Sequence, residues 1–249
     1  MAAFLVGFFI ATSIGVIGIG AGTMCTPLLI LVLRLKGAVA VGTALAFVTL
    51  VKLIVAPVYM TRRQVDYRVL AWMLAGGLPG VILGGRVLID LGHSVNQRLL
   101  FVLLGLTIVC AATFNVFRLM RDHLERRTAN PRWLGALMFP VGMEMGFSSA
   151  GSGALGSSAL LGLTRLEASS VVGTGICFGL ILSAVGSSMQ IFAGNYDLTV
   201  LEQLLGGGVA GALGGSFLAN RIPSRPLKWA LSACLAVLGL QLFVQGLRS

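Results

Sequence analysis

Two charged residues stand alone inside apolar segments that are long enough to cross a bilayer, Lys52 and Glu144. A charge at membrane depth is costly, so each of these residues is a functional candidate by default. Lys52 could place a fixed positive charge beside a small anion, and Glu144 could carry a coupling proton. The alternatives are structural: Lys52 extends its amine to the membrane interface, or the two residues pair with each other.

Glycine and hydroxyl residues cluster in two stretches, GIGAGTMCTP at 18–27 and SSAGSGALG at 148–156. A helix that begins inside the membrane presents free N–H groups carrying roughly half a positive charge. We expect helices to begin near Gly22-Thr23 and Gly153-Ala154, with N termini that converge on a small anion at mid-membrane. The predicted binding residues are Gly20, Gly22, Thr23, Lys52, Ser148, Ser149, Gly151, Ser152 and Gly153. Alternatively, these glycines and serines only allow helices to pack closely.

The rest of the chain consists of apolar segments joined by short basic connections. It is 57% hydrophobic and 10% charged, whereas soluble domains carry about 25% charged residues. The apolar segments are Ala3–Leu33, Ala38–Met60, Val69–Ile89, Leu99–Phe117, Trp133–Leu163, Ala168–Ala193, Val200–Ala219 and Trp229–Leu247. This pattern predicts an all-α polytopic membrane protein. The net charge of +10 lies in the connections, as the positive-inside rule describes, so nucleic-acid binding is not expected.

Catalytic and metal-binding motifs are not visible in the sequence. The four cysteines lack C-x-x-C spacing, and no nucleophile is paired with a base. GIGAG lacks the preceding strand and the following acidic residue of a dinucleotide-binding motif. We therefore expect no enzymatic activity, no cofactor and no metal site.

The first apolar segment, Ala3–Leu33, is too long for one crossing. As a single helix it would extend about 46 Å at 1.5 Å per residue, whereas the bilayer core is about 30 Å thick. Its glycines stand in the middle, where a spanning helix needs its strongest residues. We expect the segment to enter the membrane, turn at the glycines and return as a hairpin whose exposed backbone is shielded by protein or water.

The chain is an internal duplication with an offset of 131 residues. This offset aligns Arg34 with Arg165, Gly42-Thr43 with Gly173-Thr174, Asp66 with Asp197 and Gly76-Gly77 with Gly207-Gly208. We therefore predict a first membrane repeat at 1–117, a basic cytoplasmic connection at 118–132 and a second repeat at 133–249. Repeats of this kind are typical of transporters, with the site between the halves.

The distribution of basic residues favours hairpins in both halves. If each broken segment crossed once, the two faces would carry nine and eight basic residues. With hairpins, the cytoplasmic face carries twelve, namely Arg62, Arg63, Arg68, Arg118, Arg121, Arg126, Arg127, Arg132, Arg165, Arg221, Arg225 and Lys228. The opposite face then carries five, namely Arg34, Lys36, Arg86, Arg98 and Arg248. Each half is then a hairpin plus three spans, so the repeats must be inverted and both termini lie outside.

Several of these motifs resemble the sulfite exporter TauE/SafE family of bacterial permeases. The resemblance rests on GIGAGTMCTPLLI and its copy SAGSGALGSSALL, and on VDYR…GGLPGVILGGR and YDL…GGGVAGALGGSF. It covers both halves, nearly the whole chain. The family pattern is a Gly-rich break followed by proline, then Gly-Thr, then an Asp-aromatic pair before a glycine-laddered helix. The first half carries Pro27 and Asp66-Tyr67, whereas the second half departs from the pattern at Ser158 and Leu198.

The resemblance implies a secondary transporter in the bacterial inner membrane. It would export sulfite, an organosulfonate, a carboxylate or a related small anion, driven by an ion gradient such as protons or sodium. Two other functions remain open. An anion channel would use the same convergent helix ends without a coupling residue, and a non-transporting accessory protein would bind no substrate. The sequence leaves the anion, the direction of transport and the oligomeric state open.

Overall fold

A computed structural model of the protein describes most of the chain as helices. The described residues are 2–17, 21–94, 97–120, 131–149, 156, 160, 164, 166–218, 233–234 and 236–244. The helices are α1 (Ala2–Ile17), α2 (Cys25–Leu33), α3 (Gly37–Thr61), α4 (Tyr67–Ser94), α5 (Gln97–Met120), α6 (Pro131–Ser148), α7 (Ala168–Phe192) and α8 (Leu198–Leu218). A short 3₁₀ turn at Ala21–Met24 precedes α2, and residues 236–244 are also helical. No strand occurs among these residues, which confirms the all-α prediction.

Three of the described helices are long and apolar enough to cross a membrane by themselves. They are Gly37–Thr61, Tyr67–Gly92 and Ser169–Phe192, which correspond to α3, most of α4 and α7. Shorter apolar stretches lie at Ala3–Ile14 and Leu99–Cys110. The protein is therefore an all-α polytopic membrane protein. Helix α5 extends to Met120 and α6 begins at Pro131, and the residues between them lie outside the described part of the chain.

The first apolar segment is broken where its glycines predict. Helix α1 ends at Ile17, the 3₁₀ turn begins at Ala21 and α2 begins at Cys25. Pro27 lies in the first turn of α2, where a missing N–H costs no intrahelical hydrogen bond. The break predicted for the second half, at Gly151, Ser152 and Gly153, lies outside the described residues, as does Gly20.

Helix α1 packs lengthwise against α8, and the glycines of α8 allow the two backbones to touch. A Cβ atom added at any of three α8 glycines, spaced one turn apart, would collide with the backbone of α1. The pairs are Gly207 with Phe4, Gly211 with Phe8 and Gly215 with Thr12. Because the residue numbers rise together along both helices, α1 and α8 run parallel.

The same arrangement recurs between α4 and α6 at the offset of 131 residues. The pairs here are Gly76 with Gly135, Gly80 with Phe139 and Gly84 with Met143. Helices α4 and α6 are therefore also parallel. The prediction that these six glycines form close-packing faces is confirmed, because small residues are what permits backbone approach between helices in lipid.

Helices α3 and α7 correspond to each other in the repeat and pack against each other in opposite directions. A Cβ at Gly42, near the start of α3, would collide with the carbonyl of Asn195, just past the end of α7. A Cβ at Gly173, near the start of α7, would collide with the carbonyl of Gln64, just past the end of α3. The start of each helix therefore lies beside the end of the other.

The connections after α3 and α7 have the same backbone geometry. Each helix ends with a residue in the left-handed region, Arg63 at φ 53° and Gly194 at φ 74°. The next N–H then donates back to a carbonyl five residues earlier, at 3.1 Å from Gln64 to Tyr59 and 2.9 Å from Asn195 to Gln190. This is the Schellman pattern of helix termination, in which glycine is the least strained residue for the left-handed position.

Each connection then hydrogen-bonds to the other half of the chain. The backbone N–H of Asp66 donates to Thr174 Oγ1 at 3.0 Å. The backbone N–H of Asp197 donates to Thr43 Oγ1, also at 3.0 Å. The same contact is thus made once in each direction between corresponding residues, which is the reciprocity that a twofold relation produces.

Candidate functional site

The break in the first half meets the end of α6 at a buried hydrogen bond. Thr26 Oγ1 and Ser149 Oγ lie 2.6 Å apart, and the two side chains are 0% and 3% exposed. Thr26 stands in the first turn of α2, and Ser149 directly follows α6 with a positive φ of 63°. Residues 123 positions apart in sequence are therefore brought together where α6 ends and α2 begins.

Other predicted binding residues lie next to this hydrogen bond along the chain. Thr23 is buried and, like Gly22, belongs to the 3₁₀ turn that leads into α2. Ser148 is fully buried at the end of α6, where its hydroxyl donates to the carbonyl of Glu144 at 3.2 Å. The N terminus of α2, with the free N–H groups of its first turn, therefore lies beside hydroxyl side chains. N–H and hydroxyl donors together are suited to binding an anion.

Lys52 lies in the second half of α3 and is 6% exposed. Such burial disfavours extension of its amine to the interface, because that would leave the ammonium group exposed. The corresponding residue of the second half is Ser183 on α7, which is fully buried and donates to the carbonyl of Leu180 at 3.1 Å. The α3–α7 pair therefore carries a charge on one helix and a hydroxyl at the equivalent place on the other.

Glu144 lies on α6, one turn before Ser148. Its Oε1 atom is buried and has no hydrogen-bond partner in the part of the chain that the structure describes. The equivalent residue of the first half is Ser13 on α1, whose hydroxyl donates to the carbonyl of Phe9 at 2.8 Å. Lys52 and Glu144 therefore each correspond to a buried or partly buried serine in the other half.

Sequence reasoning missed Thr26 and Gln190. Gln190 is fully buried on α7, accepts a hydrogen bond from Asn195 at 3.0 Å and donates to the carbonyl of Gly85 at 3.4 Å. Each of these polar residues adjoins apolar ones: PLLILVL follows Thr26, and Gln190 lies between Met189 and Ile191. This isolation was the signal that could have identified them, since a single polar side chain in lipid needs a hydrogen-bond partner.

Comparison with known proteins identifies the kind of molecule that carries this arrangement. Residues 3–242 match the family described as Sulfite exporter TauE/SafE. The chain is also similar to "Probable membrane transporter protein YjnA" of Bacillus subtilis (strain 168), with 28% identity covering 96% of this chain and 97% of that protein. No solved structure matches the chain. The family match extends over nearly the whole sequence, so the chain belongs to the sulfite exporter TauE/SafE family and is a multi-pass membrane transporter.

Proposed function

We propose that the protein is a secondary transporter, working as an exporter, of a small anion such as sulfite, an organosulfonate or a carboxylate. The observation that carries this proposal is the buried Thr26–Ser149 hydrogen bond, which joins the start of α2 to the end of α6. Each of these hydroxyls can also donate to an oxyanion, so a substrate could replace the bond between them. Substrate binding would then account for the break between α1 and α2, which helix packing alone does not explain.

Charge supports an anionic substrate. The N terminus of α2 and the buried Lys52 both carry positive charge. In a low-dielectric interior with little water, electrostatic potential is screened less than in bulk water, so both charges can attract the same anion. We place the site between the two halves near mid-membrane, at Gly20, Gly22, Thr23, Lys52, Ser148, Ser149, Gly151, Ser152 and Gly153 together with Thr26. The family name and the relative's name support transport, and the choice of anion and the direction are part of our proposal.

We also propose that the repeats, 1–117 and 133–249, are inverted in an inner membrane of a bacterium, with residues 118–132 cytoplasmic. Helix directions support this. Helix α1 is parallel to α8, and α8 is parallel to α3, because Thr43 meets Asp197 while Phe47 meets Gly208 further along. Helices α1 and α3 therefore run the same way, so α2 between them must return. The antiparallel packing of α3 and α7 supports inversion, because these helices are repeat equivalents.

Accessibility of single cysteines tests the inversion. Lys36 and Glu167 are exposed, immediately precede α3 and α7, and are equivalent at the offset of 131. In a background without the four native cysteines, we expect Lys36→Cys to react with an impermeant maleimide from outside. Glu167→Cys is expected to react only after the reagent reaches the cytoplasm. Labelling of both cysteines from the same face would mean parallel repeats.

Flux into proteoliposomes tests the transport proposal. We expect counterflow of at least one anion from a panel of sulfur oxyanions and short carboxylates, and no counterflow of cations of similar size. A positive site excludes cations electrostatically. An accessory protein without transport activity predicts no counterflow and no binding for any member of the panel.

Glu144 separates a coupled transporter from an anion channel, which is the second candidate function. Its buried Oε1 has no hydrogen-bond partner among the described residues, which favours a role in binding a coupling ion, a proton or sodium. We expect Glu144→Gln to abolish accumulation driven by an ion gradient while downhill exchange persists. Ser13→Ala, at the equivalent position of α1, serves as the control and is expected to leave both activities intact. A channel would show the same flux with glutamate or glutamine at 144.

A further inference from the structure

We infer that the parts that move against each other during transport are two mixed helix bundles, and that they differ from the two sequence repeats. The first bundle comprises α1, α2, α3 and α8, and the second comprises α4, α6 and α7. Each bundle takes one helix from the opposite repeat, α8 in the first bundle and α4 in the second. This inference rests on the proposed transport function and specifies the motion that transport would use.

The first bundle is held together by close backbone and ring contacts. Helix α8 lies against α1 along the glycines at 207, 211 and 215. On the other face of α8, a Cβ at Gly208 would lie 2.6 Å from the ring of Phe47 on α3. The start of α8 is fixed to α3 by the Asp197–Thr43 hydrogen bond. Helix α8 is therefore attached to two helices of the other repeat.

The second bundle repeats these contacts with the roles of the repeats exchanged. Helix α4 lies against α6 along the glycines at 76, 80 and 84. A Cβ at Gly77 would lie 2.6 Å from the ring of Phe178 on α7. The start of α4 is fixed to α7 by the Asp66–Thr174 hydrogen bond. Helix α4 is therefore part of the packing of the second repeat.

Among the described helices, α3 and α7 provide most of the packing across the boundary between the bundles. Backbone contacts across it lie at its two ends, where Gly42 meets the carbonyl of Asn195 and Gly173 meets the carbonyl of Gln64. At Gly186, an added Cβ would lie 3.2 Å from a methyl group of Leu45, so side chains separate the backbones there. Thr26 and Ser149 supply a polar link across the same boundary. Away from its two ends, a boundary made by side chains and a polar bond can open more readily than backbone packed on backbone.

The chain passes between the bundles at two short connections, residues 62–65 and 193–196. Each connection is fixed on both sides. Before it stands the Schellman end of α3 or α7, and after it an aspartate whose Oδ1 accepts the N–H of Val69 or Val200 at 3.0 Å. The backbone N–H groups of residues 62–64 and 193–195 still donate to carbonyls of α3 and α7. We therefore place each hinge where the chain leaves this hydrogen bonding, at residues 65 and 196, just before the next helix. The two hinges lie at opposite ends of the α3–α7 pair.

Disulfide crosslinking distinguishes mixed bundles from rigid repeats. Phe4 on α1 and Gly206 on α8 belong to different repeats but to one bundle, and a Cβ at Gly206 would lie 3.4 Å from the Phe4 ring. We expect the disulfide between Phe4→Cys and Gly206→Cys to leave counterflow within about twofold of the reduced variant, because these helices move together. Rigid repeats would be locked by this disulfide, so arrest of counterflow would overturn the inference.

A second disulfide crosses the bundle boundary. A Cβ at Gly186 on α7 would lie 3.2 Å from a methyl group of Leu45 on α3, and neither residue belongs to the proposed binding site. We expect oxidation of the Leu45→Cys, Gly186→Cys variant to lower counterflow about tenfold or more, with recovery on reduction. Full flux with this boundary pair oxidised would also overturn the inference, whereas absence of flux in the wild type would instead contradict the proposed function.

Discussion

Replacing Gly207 with alanine is expected to lower the free energy of unfolding by about 3 kcal/mol, the upper part of the usual range for overpacking. The added Cβ would collide with the carbonyl oxygen of Phe4 and lie 2.9 Å from the backbone nitrogen of Phe8. Neither atom can rotate away, because both belong to the backbone of α1. Thermal unfolding of the detergent-purified protein, followed by size-exclusion chromatography of heated samples, measures the loss.

Gly214 is the matched control on the same helix. A Cβ there would meet no atom within 4 Å. Because alanine is the better helix former by up to about 1 kcal/mol, Gly214→Ala is expected to keep or raise stability. Equal melting temperatures for Gly207→Ala and Gly214→Ala would show that α1 and α8 are not in backbone contact. Gly76→Ala, the equivalent of Gly207 in the first half, is expected to match Gly207→Ala, since its Cβ would collide with the carbonyl of Gly135.

Apolar length and glycine placement predict much of the helical structure. The expected segment Ala38–Met60 corresponds to Gly37–Thr61, and Ala168–Ala193 corresponds to Ala168–Phe192. The break in Ala3–Leu33 follows from length, because no single span needs so many apolar residues. In lipid, these boundaries are set by hydropathy and by glycine, both of which are local properties of the sequence.

The pairing of helices could not be predicted in the same way. The regularly spaced glycines indicate that a helix has a close partner, but they do not identify the partner. In a membrane protein, apolar residues face both lipid and neighbouring helices, so hydropathy does not identify the packed face either. The Asp66–Thr174 and Asp197–Thr43 hydrogen bonds join residues that the repeat alignment marks as equivalent pairs. Alignment can show that Asp66 matches Asp197, but it cannot show that each bonds to the threonine of the other half.

The candidate site was predictable only in part for a similar reason. Thr23, Ser148 and Ser149 were predicted because they adjoin the glycine-rich stretches, and all three side chains are buried. Thr26 was missed because it lies after the break, inside what reads as a continuous apolar helix. Its contact with Ser149 joins residues 123 positions apart, which is a long-range property that a local sequence pattern does not contain.

Removing the charge of Lys52 is expected to weaken anion binding. For Lys52→Met we expect a loss of roughly tenfold to a hundredfold in affinity, the range for losing one hydrogen bond to a charged group. Methionine fills the space of the lysine stem in an apolar setting, so the fold should be retained. Isothermal titration of the purified variant with the anion found by counterflow measures the change, and a melting curve checks the fold.

Arginine at the same position tests the geometry of the charge. Lys52→Arg keeps the positive charge but presents a planar fork in place of a compact ammonium group. We expect partial recovery of affinity and a shift in preference between planar carboxylates and the sulfur oxyanions. If Lys52 contributes only long-range potential, arginine should restore binding of both classes equally, since potential depends on charge and distance.

Ser183 provides the matched control, because it is the equivalent of Lys52 on α7 and is fully buried. Its hydroxyl is already bonded to the carbonyl of Leu180, so Ser183→Ala is expected to change affinity less than Lys52→Met does. Because only one of these two equivalent positions carries a charge, the two helices are expected to contribute unequally to anion binding. If instead both variants bind as the wild type does, Lys52 lies outside the site. The N terminus of α2, Thr26 and Ser149 would then have to attract the anion without a formal charge. Affinity would then depend on helix N–H groups alone, whose effect falls off within the first turn.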